Sequence, residues 1–214
     1  MKILGTDEAG RGPVVGPMVI AGVVIEEKDS IALKKIGVRD SKLLSPAKRE
    51  IMYGQIYDVA SDVIVREVTA KQIDKMRKRM SLNEVEAMVM ADILEASKAK
   101  KAFIDLPDPT AAGFSKRIRK YVNTAGIELV MEHKADTKYP VVSAASIIAK
   151  TVRDKRVREI EEKYGVEIGT GYPHDERTIA FLEKFASDYP PEVRTSWSTA
   201  RRHEAKKQKR LEEF

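Results

Sequence analysis

The chain has 214 residues, of which 43% are hydrophobic, and 39 basic against 33 acidic side chains give a net charge of +6. This is enough for one full core with room for a small second lobe, and the absence of cysteine excludes disulfides, thiolate zinc sites and cysteine nucleophiles, leaving three histidines and the oxygen ligands for any metal. No run approaches the ~18 to 20 apolar residues of a membrane span. The start shows no signal-peptide pattern, so a cytoplasmic protein without membrane partners is expected, its positive charge suited to a polyanion.

Short β-branched segments predict strands over Met1–Thr6, Met18–Glu26 and Asp62–Thr69, the first two forming a hairpin. Between the second and third, Ser45-Pro46 supplies an N-cap and first-turn proline for a helix to about Asp58. Ser81 and Glu84 form a capping-box pattern ahead of Val85, Met88, Val89, Ile93 and Leu94, whose spacing is that of a helix with one buried face. Lys101–Asp105 then reads as a strand, Gly113–Asn123 as a helix, Ile127–Glu132 as a strand and Pro140–Tyr164 as a long helix. A meander followed by helix-joined strands gives an α/β fold, a mixed five-stranded sheet flanked by helices. After "GVEIGTGYPHD" the chain from about Asp175 to Phe214 reads as wholly helical and increasingly basic. The expected division is therefore a domain over 1–174 and a small helical, basic lobe over 175–214.

Asp7 and Glu8 end the first predicted strand, Asp105 ends the fourth, and Asp136 lies just beyond the fifth. If the first, fourth and fifth strands are neighbours, these acids converge at one edge. Crowded carboxylates raise one another's pKa unless a cation neutralises them, and hard oxygen ligands suit Mg²⁺ or Mn²⁺. A lone aspartate at a strand end is more often a turn or cap residue. Turn chemistry does not account for both Asp7 and Glu8.

Gly10, Arg11 and Gly12 can be a plain hairpin turn, or a place where backbone amides come close to a sugar-phosphate. Tyr172, in its glycine-rich loop, can stack on a sugar or base, or pack over the edge of the core. Ser143, Ser146 and Lys150 share one face of the long helix at i, i+3 and i+7. Serines so placed often only satisfy the backbone.

"DEAGRGPVVGPMVIAG", "RDSKLLSPAKRE", "FIDLPDP", "EHKADTKYPVVSAASIIAKTVRD" and "GTGYPHD" together resemble ribonuclease HII, the type 2 ribonuclease H family, in its archaeal style. The resemblance spans almost the whole chain. It implies an RNase H-like fold and a monomer that cleaves the RNA strand of RNA/DNA hybrids. It also implies incision 5′ to a single ribonucleotide in a DNA-RNA-DNA/DNA duplex, leaving a 5′-phosphate and a 3′-hydroxyl.

By the same resemblance Asp7, Glu8, Asp105 and Asp136 are the catalytic, metal-holding acids, with two Mg²⁺ or Mn²⁺ ions when substrate is bound. Gly10, Arg11 and Gly12 match the element that reads the 2′-hydroxyl, and Tyr172 the tyrosine that stacks on the following deoxyribose. Lys42, Ser143, Ser146 and Lys150 are further candidates for substrate binding, Lys42 and Lys150 with the basic C-terminal helix holding phosphates without reading sequence.

The last residues, "QKRLEEF", place Gln208, Leu211 and Phe214 at the spacing of the box that plugs a helical turn into a sliding clamp. A solvated basic helix end is the alternative. Two rivals remain for the chain as a whole: a nucleic-acid-binding protein that does not cleave, and a DNA-specific nuclease of the same superfold, for which a 2′-hydroxyl sensor would have no use.

Overall fold

The computed structural model describes residues 1–38 and 44–212, with side chains from 206 onward excepted. Five strands, β1 (Lys2–Ala9), β2 (Met18–Glu26), β3 (Asp62–Val68), β4 (Lys101–Asp105) and β5 (Glu128–Glu132), form one sheet in the order β3-β2-β1-β4-β5. β1 runs antiparallel to β2 and parallel to β4, and β4 is parallel to β5, so the sheet is mixed. The helices are α1 (Ser30–Ile36), α2 (Pro46–Val59), α3 (Ala70–Arg77), α4 (Leu82–Ser97), α5 (Ala111–Ile118), α6 (Ala135–Lys138), α7 (Pro140–Tyr164), α8 (Glu176–Lys184) and α9 (Ser198–Glu212). Among the described residues no helix is long and apolar enough to cross a membrane.

Both faces of the sheet are covered, and strand alternation decides which side chains go where. Ile3, Val19, Ala21, Val23 and Ile25 face the core shared with Val141, Val142, Ala145 and Ile148 of α7. Gly5 lies on that face: a methyl there would overlap the carbonyl of Val141 and stand 2.6 Å from the nitrogen of Val142. Only glycine lets the backbone of α7 lie directly on β1. On the other face Gly22 makes room for the side chains of Ile93 of α4 and Leu4.

The chain divides into two compact units. The first, 1–9, 19–66 and 81–152, holds the sheet apart from the ends of β2 and β3; the second takes 10–18, 67–80 and 153–214. The second has its own core of Val14, Val15, Val157, Ile160, Ile168, Phe181, Leu182 and Val193. Residues 175–214, expected as a separate lobe, belong to this second unit together with the three earlier segments.

Several elements differ from expectation. β1 continues through Asp7 and Glu8 to Ala9, because β2 pairs with it as far as Ala9 opposite Val19. The segment from Asp175 is not wholly helical: α8 ends at Lys184 and α9 begins only at Ser198. Pro190-Pro191 lie between them, and proline can neither donate to a helix nor tolerate a helical residue before it. The short α1, α3 and α6 were not expected at all, although Thr69 and Gln72 make a complete capping box for α3.

Candidate active site

The acid row is built from the first unit. In parallel register Gly5 of β1 pairs with Phe103 of β4, and Thr6 with Ile104. Paired residues share a face, so Asp7 and Asp105, one and two positions on, point to the side that α7 covers. Asp105 is in turn opposite Glu132 of β5. Glu132 is engaged by Lys138 and, at 2.8 Å, by the hydroxyl of Tyr139, which hold its carboxyl below the usual range. Asp136 follows on α6, whose first amide, Ala135 N–H, donates to Asp105 Oδ1 at 2.7 Å. The turn into α6 passes through Lys134 in the left-handed region, at φ +58°. Strand alternation sends Glu8, opposite Ile20, from the other face.

Asp7 is 5% exposed and its Oδ1 accepts the Glu8 N–H at 2.7 Å. Ser146 of α7 also donates to it, and Lys150 Nζ donates to Ser146 Oγ at 2.7 Å, so a lysine–serine relay ends on this carboxylate. Burial outweighs that relay: with the nearby Asp105 charge it pushes the Asp7 carboxyl up to about 7.

Among the described residues no three histidine, aspartate or glutamate side chains close into a metal cluster. The donors still fit a hard divalent cation. They are carboxylate oxygens, and Asp7 is held near half-protonation by burial and like charge, a state that a bound cation would return to full ionisation.

The Gly10–Gly12 element belongs to the second unit. Arg194 is fully buried and its guanidinium donates to the carbonyls of Gly16 (3.1 Å), Arg11 (2.9 Å) and Gly10 (2.6 Å). Trp197 Nε1 donates to the carbonyl of Gly12 at 3.1 Å. The carbonyls of Gly10 and Arg11 are thus drawn toward the buried guanidinium, and that of Gly12 toward the indole. In a trans peptide C=O and the next N–H are antiparallel, so the amides of Arg11 and Gly12 turn the other way. Gly10 has φ +81°, and a side chain there would strike the Pro17 carbonyl at 2.6 Å.

Tyr172 packs on this loop, its Cε1 being 3.0 Å from where a Gly12 Cβ would stand. The Gly171 carbonyl accepts from Val14 N–H at 2.8 Å. Arg153 bonds the Thr170 carbonyl at 2.5 Å and lies over the Tyr172 ring at 5.9 Å. Asp175 accepts from both Thr170 N–H and Thr170 Oγ1, holding the loop closed.

Asp7, Asp105, Ser146 and Lys150 are thus brought together, with Asp136 attached through α6. Ser143 and Ser146 are buried, and Ser146 acts on Asp7. Lys42 and Phe214 lie outside the described residues, as do the side chains of Gln208 and Leu211. Sequence reasoning missed Arg194, Trp197, Arg153 and Glu132. The chain's single tryptophan, in "VRTSW", was the one available signal.

A mixed sheet with carboxylates side by side at the ends of its first and fourth strands, under a long helix, is the arrangement expected of a ribonuclease H-like fold. A family model for Ribonuclease HII matches residues 4–200, and the chain belongs to that family. It is 46% identical over 208 residues to the Ribonuclease HII of Methanothrix thermoacetophila, covering 96% of this chain and 98% of that one.

The crystal structure of the ribonuclease H2 from Pyrococcus horikoshii superposes with a TM-score of 0.90 at 42% identity, covering 98% of this chain and all of that one. The PCNA:RNase HII complex from Archaeoglobus fulgidus gives 0.84 at 36% identity, covering 92% and 96%. Bst-RNase HIII in complex with Mn²⁺ gives 0.81 at 17% identity, covering 98% and 71%, a likeness of fold. The chain is therefore a hydrolase, a ribonuclease H that cuts RNA within RNA/DNA hybrids.

Proposed function

We infer that this ribonuclease also incises 5′ to a single ribonucleotide embedded in duplex DNA, leaving a 5′-phosphate and a 3′-hydroxyl. The observation that carries this reading is the lock of Arg194 on the carbonyls of Gly10 and Arg11, which turns the Arg11 and Gly12 amides away from that guanidinium, with the Tyr172 ring packed beside Gly12. Outward amides on glycine backbone can approach a ribose closely enough to bond its 2′-hydroxyl. Tyr172 offers a ring face to the following sugar. The chain itself links reader and acids, since Gly10 follows Ala9.

Asp7, Glu8, Asp105 and Asp136 would hold two divalent ions, Mg²⁺ or Mn²⁺. Such ions, when bound, supply an activated water and offset charge on the phosphate. Ser146 and Lys150 orient Asp7 and favour its ionised form, and the Ala135 amide fixes Asp105. Lys42 and the basic residues of 175–214 would grip phosphates without reading sequence.

The deciding assay compares duplexes carrying one ribonucleotide, none, or a full RNA strand, each with Mg²⁺, Mn²⁺ or EDTA. Cutting 5′ to the ribonucleotide is expected, with no cut in all-DNA duplex and none in EDTA or in Asp105→Asn. Survival of the single-ribonucleotide duplex while the hybrid is cut would sink the sensor assignment.

Gln208, Leu211 and Phe214 are assigned as a sliding-clamp box, supported by the relative solved as a complex with PCNA. Calorimetric titration with the cognate clamp should show binding by the full chain and none after removal of residues 208–214; equal binding would dispose of the assignment.

A further inference from the structure

The Gly10–Gly12 loop does not hold its own shape. Its three carbonyls are fixed by Arg194 and Trp197, which lie between α8 and α9. That stretch is tied to the loop's continuation by an antiparallel bridge of Val193 with Val15 and by main-chain bonds from Arg194 N–H to the Val14 carbonyl (2.8 Å) and from Gly16 N–H to the Glu192 carbonyl (2.9 Å). Beyond Arg194 the anchor comes from α3. Asp74 accepts four hydrogen bonds from two successive residues: Thr195 N–H (2.7 Å) and Oγ1 (2.8 Å) on Oδ2, and Ser196 N–H (3.2 Å) and Oγ (2.6 Å) on Oδ1. One turn further along α3, the Arg77 guanidinium lies 4.9 Å from the Trp197 ring, and Arg194 lies at 4.9 Å from the same ring. Arg194 and Trp197 therefore flank the two residues that Asp74 grips. All of these groups belong to the second unit.

We propose that Asp74 is a positioning residue for ribonucleotide recognition, acting through the Arg194–Trp197 segment to keep the amides of Arg11 and Gly12 turned outward. A carboxylate is the one short side chain that can accept from two amides and two hydroxyls at once. Charge assistance makes those bonds stronger than neutral ones. The proposal rests on the reading of residues 10–12 as a 2′-hydroxyl sensor, but its structural half is measurable without it.

The test uses the full chain and the variants Asp74→Ala and Asp74→Asn. The asparagine keeps the size of the side chain but replaces one acceptor oxygen by a donor, and it serves should the alanine variant not fold. Two readouts are taken without divalent ions, so that nothing is cleaved. Hydrogen exchange of the segment 10–18 should accelerate by about tenfold or more, while segments from β1 and β4 keep their protection. Fluorescence anisotropy should show the preference for a single-ribonucleotide duplex over all-DNA duplex falling by about tenfold, with all-DNA affinity unchanged.

Unchanged exchange at 10–18 in a folded variant would overturn the proposal. So would acceleration spread equally over both units, which would make Asp74 a general stabiliser. If the wild type itself shows no preference between duplexes while exchange at 10–18 responds, the sensor reading fails and the positioning role of Asp74 stands.

Discussion

Replacing Asp7 by asparagine should make the metal-free protein more stable, and by an amount that depends on pH. The folded carboxyl sits at about 7 against 3.8 for an exposed one, chiefly because it is buried. Between those values the unfolded chain carries a charge that the folded chain refuses, so the unfolded state binds fewer protons. Stability then falls as pH rises, from the unfolded pKa up to the folded one. A difference of about three pH units corresponds to about 4 kcal/mol at full extent. Asparagine carries no charge at any of these pH values and can still accept the Glu8 amide bond. The gap between variant and wild type should be near its smallest at about pH 4, widen steadily, and level off above about pH 7.

Urea denaturation in EDTA across that range measures it, with equal m-values confirming that the same transition is followed. Adding Mn²⁺ should narrow the gap by stabilising the wild type more than the variant, since a cation stabilises the ionised carboxylate and has less to bind in the variant. A gap of constant size across pH, or a less stable variant above neutrality, would refute the account of Asp7 as a buried carboxyl held against its preferred charge.

Gly5→Ala should be destabilising by about 3 kcal/mol or more, because the methyl would collide with main-chain atoms of Val141 and Val142 that cannot rotate aside; thermal unfolding measures it, and a change under about 1 kcal/mol would show that α7 can lift freely. Glu84 lies beneath Lys120, Arg117 and Tyr121, with contacts of 2.9, 2.7 and 2.8 Å. These partners, Lys120 foremost, hold its carboxyl down to about 2. Its contribution is thus present above the unfolded value of 4.5 and lost as pH falls through the folded one. Glu84→Gln should cost about 1 to 3 kcal/mol at neutral pH. The difference should shrink on acidification toward pH 2, and a difference that grows there would reverse the assignment.

The first three strands were legible because they are short β-branched runs bounded by turn residues, and α2 and α4 because Ser45 and Ser81 cap them as the pattern requires. α3 escaped notice because it is eight residues long with little apolar content, and its capping box reads as loop chemistry until the helix is seen. At Ser81 the pattern misled in its detail: the Ser81 hydroxyl accepts from Glu84 N–H, but the Glu84 side chain turns to α5 and the turn after it. The acids could be named from the chain, yet their adjacency could not. That Asp7 and Asp105 share a face follows only from β4 lying beside β1 in one particular register. Arg194 was invisible for a plainer reason: the carbonyls it holds are 178 to 184 residues away. Nothing local marks a buried arginine as the support of a distant loop.

The contact at Gly5 gives the acid row an unusual insensitivity to change elsewhere. Where helix and strand are spaced by side chains, each substitution between them moves the spacing, and every rotamer adds play. Here the spacer is main chain on main chain, two residues from Asp7 along β1 and a few residues from Ser146 along α7. The alignment of serine and carboxylate is therefore set by atoms that every residue type shares. Side-chain changes in the surrounding core, Ile3, Val23, Ala145 and Ile148 among it, therefore leave the spacing of this pair untouched.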